Sequence, residues 1–177
     1  MEIRQIKGYH GTTRINAEKI VKEQRFIESN RNTEWLGKGV YFFAYIAHAK
    51  WWTTHGRYSK QTTAVLDADL KYMDEQILDL DDPDVLDFVN EFVADLVKAA
   101  ESAGILDVGK VDLRGRCNDY KRWNFVCNAV KETIPEIGII SYTFRPNCPV
   151  GQSGYAQNQK QLCVSDHDII REIRIVG

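Results

Sequence analysis

Two stretches of this chain combine residue types and spacing that could serve chemistry: Tyr9-His10-Gly11-Thr12, and Gly37-Lys38-Gly39-Val40-Tyr41-Phe42. A histidine followed by glycine at a strand-to-helix turn offers an imidazole and unobstructed backbone at one spot. The helix that follows adds unpaired N–H donors and the positive end of its dipole. Two glycines one residue apart, ahead of an aromatic strand, let backbone approach a ligand closely. Each stretch also has a plain structural reading, the first as a histidine beside a turn, the second as a hairpin turn feeding a core strand. The glycines match neither the phosphate-binding GxxxxGK[ST] loop nor the dinucleotide fingerprint GxGxxG before a helix. His48, His55 and His167 lie on different elements without a partner pattern, and no Ser-His-Asp or Cys-His arrangement emerges. The four cysteines, Cys117, Cys127, Cys148 and Cys163, are separated by 10, 21 and 15 positions. Zinc sites use closely spaced ligand pairs, so no metal is expected and the thiols read as reduced.

The elements that must position these residues follow from periodicity. Ile3, Ile6 and Tyr9 open a strand that runs into His10. Thr13 can cap a helix carrying Ala17, Ile20 and Val21 on one face. Residues 27–36 read as a loop, Val40–Phe43 as a strand, and Ala44–Trp52 as a short helix ending near Gly56. Thr62–Leu66 and Ile77–Leu80 read as strands. Asp82 and Pro83 start the clearest helix, whose Val85, Phe88, Val89, Phe92, Val93, Leu96 and Ala100 recur at helical spacing up to Gly104. That apolar face reads as core. Tyr120, Trp123, Cys127 and Val130 mark another helix, ending near Pro135. Ile139–Phe144, Leu162–Val164 and Ile169–Val176 read as strands, with a polar Gly/Pro/Asn loop over Arg145–Lys160. Strands flanking a helical middle give an α+β fold, one domain over 1–177 with a helical insertion at about 82–134.

Composition bounds what this fold can do. The chain has 177 residues, 44% hydrophobic and 27% charged, which suffices for a core without staples. A net charge of −2 excludes coating nucleic acid or membrane by bulk charge. Lys110, Arg114, Arg116, Lys121 and Arg122 do outnumber Asp112 and Asp119, with Tyr120 and Trp123 among them. That segment reads as a nucleic-acid patch or a solvated helix start. No apolar run is long enough to span a membrane, and the N-terminus lacks a signal-peptide pattern, so a cytoplasmic protein is expected.

The His-Gly-Thr stretch followed by Gly-Lys-Gly-Val-Tyr-Phe resembles the ADP-ribosyltransferase superfamily. The likeness is to its diphtheria-toxin/poly(ADP-ribose) polymerase branch, which carries a His-Tyr-Glu triad. It covers residues 8–52 well and is looser over Lys160–Asp166, while the helices at 82–134 match nothing in it. The resemblance implies a split β-sheet core and NAD as co-substrate, with no metal. It assigns His10 to the adenosine-side ribose, and Gly11 backbone with Thr12 to the nicotinamide amide. Tyr41 and Trp52 would stack on nicotinamide, and Arg14 would meet the phosphates unless it is simply an exposed helix residue. Gln161 falls where the family has its catalytic Glu, with Gln159 as the other occupant on the same strand face. Gln accepts a hydrogen bond but carries no charge and cannot act as a base.

The resemblance therefore implies a mono-ADP-ribosyltransferase with the triad His10, Tyr41 and Gln161. It would move ADP-ribose from NAD to a macromolecular acceptor, protein or nucleic acid, and release nicotinamide. Arg145–Lys160, with Tyr155, Gln157 and Asn158, would choose that acceptor. A chain of this type suits a bacterial toxin, effector or defence protein with an antitoxin or chaperone partner. The alternatives are an NAD glycohydrolase, in which water attacks, and a module that binds NAD or ADP-ribose without chemistry.

Overall fold

A computed structural model of the chain describes residues 2–55, 58, 60–104, 120–145 and 158–177. Cys117, Cys148, most of the basic segment and Arg145–Lys160 between 146 and 157 lie outside the described residues.

Among the described residues, a seven-stranded sheet and four helices make a mixed α+β fold. The strands are β1 (Ile3–Thr13), β2 (Val40–Phe43), β3 (Thr63–Met73), β4 (Ile77–Asp79), β5 (Ile139–Phe144), β6 (Gln159–Val164) and β7 (Ile170–Ile175). They lie in the order β4-β5-β6-β2-β1-β3-β7, antiparallel except for the parallel pair β4 and β5. Parallel neighbours need a crossover. Helices α3 (Pro83–Ser102) and α4 (Tyr120–Thr133) lie within it, so the segment read as an insertion is the connection that this sheet requires.

β1 and β3 pair along their whole length, from Ile3 opposite Met73 to Thr13 opposite Thr63. β1 and β2, by contrast, are in register at Tyr9 opposite Phe43 alone. The sheet is thus firmly closed on either side of a short central seam.

Helix α1 (Arg14–Glu23) covers one face, its Ala17 and Ile20 packing with Phe26, Phe42, Leu66 and Leu70. Thr13 caps it by accepting from the Asn16 N–H at 3.3 Å. Helix α2 (Ile46–Thr54) covers the opposite face over Phe43 and Val65. On that same side, α4 and part of α3 cover Leu78, Ile140, Phe144 and Cys163. Burying a side chain such as Phe42, which is 0% exposed, stabilises by about 1.5–3 kcal/mol.

Several boundaries move from their sequence positions for identifiable reasons. β3 continues past Leu66 through Asp67 and Asp69, which are only 8% and 5% exposed. Lys7 bridges both carboxylates and Arg174 meets Asp67 at 3.3 Å, so the charges that break the apolar run are paired across strands. Lys7 holds the Asp69 carboxyl below the usual carboxylate range, against the opposing effect of burial. α2 starts at Ile46 rather than Ala44, because the Ala44 N–H still donates to the Lys160 carbonyl at 3.1 Å. β6 begins at Gln159, which puts Gln159, Lys160 and Gln161 on a strand rather than in or beside a loop. A 3-10 turn at His167–Ile169, capped by Asp166, delays the last strand to Ile170. The apolar face of α3 is also less covered than its spacing suggests: Val89 alone is buried, while Leu86 and Phe88 are 42% and 44% exposed.

Candidate functional site

The two stretches singled out in the sequence meet at the β1–β2 seam. His10 stands one residue beyond the Tyr9–Phe43 pair, and its Nδ1 lies 2.8 Å from the Tyr41 carbonyl. A carbonyl only accepts, so Nδ1 carries the proton and donates. The imidazole also packs edge-on to Phe26 and Phe42, at centroid distances of 5.1 and 6.1 Å. The ring is therefore fixed in both position and tautomer.

Residues opposite one another in neighbouring strands share a face of the sheet. Gln161 is opposite Phe43, and Phe43 is opposite Tyr9, so these three form one row across β6, β2 and β1. Strand alternation puts Tyr41 and Gly11 on the same face, two residues from Phe43 and Tyr9 respectively. Trp52 reaches this face from α2, 6.2 Å from the Phe43 ring and 39% exposed. Gln161 is half-buried, whereas Gln159 is only 6% exposed, at the strand start opposite Phe144.

Gly11 is where β1 and α2 come closest. A Cβ there would stand 2.7 Å from Thr53 Cγ2 and 2.8 Å from the Ala49 carbonyl oxygen. Glycine at this position lets the helix sit on the strand and sets where Trp52 arrives.

Tyr41 is held at its tip. Its hydroxyl donates to the Gly37 carbonyl at 2.7 Å and accepts from the Leu36 N–H at 2.9 Å. Burial pushes its pKa well above that of an ordinary tyrosine, so it remains a neutral phenol. Gly37 itself has φ +79°, and a Cβ would lie 2.5 Å from Asn128 Oδ1.

Thr12 and Arg14 stand apart from this face. Thr12 alternates to the opposite side and is 4% exposed. Arg14 opens α1, on the same side as His10, and its Nε donates to Glu18 at 2.9 Å.

Sequence reasoning missed what holds the Gly-Lys-Gly turn in place. Asn124, Asn128 and Lys131 form a polar stripe on α4. Asn124 donates to the Arg31 and Glu34 carbonyls at 3.1 and 2.8 Å. Asn128 accepts from the Lys38 N–H at 2.7 Å. Lys131 donates to the Leu36 and Lys38 carbonyls at 2.9 and 2.7 Å and approaches Cys163 Sγ at 3.2 Å. The stripe interrupts an otherwise apolar helix face, which is the one local signal it leaves. Burial raises the Cys163 thiol and pushes Cys127 up to about 12, so neither is a nucleophile at neutral pH.

His48, which shows no partner pattern in the sequence, is placed against the same face. It sits on α2 with its ring 6.3 Å from Phe43, and its buried Nδ1 has no hydrogen-bond partner among the described residues. Desolvation lowers its pKa, which keeps it neutral.

No family model matches the chain, and no solved structure matches it. Over 76 residues, 41% of this chain, it is 32% identical to an uncharacterized protein of Methanocaldococcus jannaschii. The matched stretch spans 36% of that protein's length. Among the described residues no helix is long and apolar enough to cross a membrane. No group of three or more His, Cys, Asp or Glu is gathered among them as metal ligands would be.

Proposed function

We propose that this chain is a mono-ADP-ribosyltransferase that uses NAD. The observation that carries the reading is the join at the β1–β2 seam. There His10, on the α1 side of the sheet, is fixed on the Tyr41 carbonyl, while Gly11, Tyr41, Phe43, Trp52 and Gln161 lie on the opposite, α2 side. Such a surface suits a flat, cationic heterocycle carrying an amide. Aromatic rings attract the charge of oxidised nicotinamide, and the Gly11 backbone stands next to them beneath α2.

In this reading His10 and the first turn of α1 take the adenosine ribose and phosphates, while nicotinamide rests against Tyr41 and Trp52. The Gln161 amide oxygen accepts from the nicotinamide-ribose 2′-OH. The bond from C1′ to the nicotinamide nitrogen breaks, its electron pair leaving with nicotinamide. An acceptor lone pair forms the new bond to C1′, and the acceptor's proton goes to solvent. Gln161 adds no negative charge to this transition state, so positioning supplies more of the rate than in a carboxylate enzyme. A neutral amide also supplies no base for extending an ADP-ribose chain, which limits the product to a single unit.

The test is incubation with NAD labelled in the adenosine half, with cell lysate as the acceptor source. Label on protein or nucleic acid together with nicotinamide release is expected. Free ADP-ribose without adduct would replace transfer by hydrolysis, and NAD binding without nicotinamide release would remove the catalytic reading.

A further inference from the structure

Between α3, α4 and the β4–β5 edge of the sheet lies a cavity of about 670 Å3. Small-molecule sites fall at roughly 300–1,000 Å3, with apolar walls and a few polar groups. Its rings are Trp35, Trp123, Tyr142 and Phe144; Trp35 lies 4.3 Å from Phe144, and Tyr142 4.9 Å. Tyr142 is opposite Gln161 on the neighbouring strand, so the cavity opens one strand away from the candidate NAD face.

Two observations say what would fill it. The roof is the apolar face of α3, of which Val89 alone is fully buried while Val85, Phe92 and Val93 are half-buried, so part of its apolar surface is left uncovered over this space. The half-buried Arg122 lines the wall, and among the described residues no acid or carbonyl pairs with it. Asp87, Glu91 and Asp95, the acids of this stretch of α3, are not part of the lining. A guanidinium beside an apolar, aromatic-walled space attracts a ligand with a matching anion.

We infer that this cavity binds an amphipathic organic anion: an apolar or aromatic body against the four rings, and one acidic group on Arg122. The site lies on the same side of the sheet as the candidate NAD residues, one strand beyond Gln161, and does not depend on the transferase reading.

Anilinonaphthalene sulfonate has this chemistry, and its fluorescence rises in apolar surroundings. Titrated onto the full chain, it should bind saturably at one site. Arg122→Gln should raise its Kd about tenfold, which corresponds to about 1.4 kcal/mol. Phenylnaphthylamine, the same kind of body without the sulfonate, should bind more weakly and be indifferent to Arg122→Gln. Ala94→Trp, a substitution at an exposed helix position that lines the cavity, should abolish binding of both probes while leaving the melting temperature unchanged. Saturating NAD should leave the sulfonate in place. The proposal is overturned by the absence of saturable binding, by equal affinity for the two probes, by binding that survives Ala94→Trp, or by displacement with NAD.

Discussion

One hydrogen bond of 2.8 Å, from His10 Nδ1 to the Tyr41 carbonyl, joins two motifs that lie 31 positions apart in the chain. It falls where β1 and β2 share a single registered pair, so the imidazole takes a backbone acceptor beside the end of the ladder. The histidine is thereby both a structural tie and the fixed edge of the candidate site.

His10→Phe should separate these roles. The ring contacts with Phe26 and Phe42 survive while the donor is lost, so stability should fall by about 0.5–1.5 kcal/mol, the net value of one hydrogen bond. Nicotinamide release should fall at least tenfold. Urea denaturation and a nicotinamide assay on the same preparation check the two effects.

Gly11→Ala should act through α2. With backbone at 2.8 Å and a methyl at 2.7 Å from the new Cβ, the helix must shift, at a cost of about 1–3 kcal/mol. Trp52 moves with the helix, so NAD affinity should fall as well. Intrinsic tryptophan fluorescence and the urea midpoint read both.

Gln161 and Gln159 should respond differently. Gln161 is half-exposed on the site face, so Gln161→Ala should lower turnover tenfold or more with little change in NAD affinity. Gln161→Glu should keep or raise NAD cleavage, because a carboxylate stabilises the developing positive charge. Gln159 is 6% exposed, so Gln159→Ala should appear mainly as lost stability. Equal turnover in Gln161→Ala and the parent would remove it from the triad.

Lys131→Met should loosen the Gly-Lys-Gly turn. It removes a charged donor from the Leu36 and Lys38 carbonyls, and hydrogen bonds to charged groups contribute about 1.5–3 kcal/mol. The KM for NAD should rise more than kcat falls, since Tyr41 hangs from the same turn at Leu36 and Gly37. Thermal melts with steady-state kinetics distinguish this from global unfolding.

His48 should make the protein less stable on mild acidification. Burial lowers its folded pKa below the unfolded value near 6.5, so the unfolded chain binds more protons between the two values. Stability therefore falls as pH drops through that window and levels off below the folded pKa. In His48→Phe the slope of melting temperature against pH between neutrality and pH 5 should be reduced.

The sequence alone determined what short windows of chain encode. The strand that ends in His-Gly, the paired glycines before Val40–Phe43 and the Asp82-Pro83 helix start are all readable from periodicity, cap chemistry and backbone freedom. None of these needs a distant partner. Tertiary structure decided whatever rests on residues far apart. Asp67 and Asp69 look like the end of a strand until Lys7 and Arg174 arrive from other strands to neutralise them. Asn124, Asn128 and Lys131 look like the polar side of a helix until their targets, some 90 positions earlier, are brought beneath them. Which face Gln161 shares with Tyr41 depends on register across β6 and β2, and a one-residue slip would send it to the other side. Charge pairing, register and helix-to-loop clamping are relations between elements, and they exist only once the chain has closed on itself.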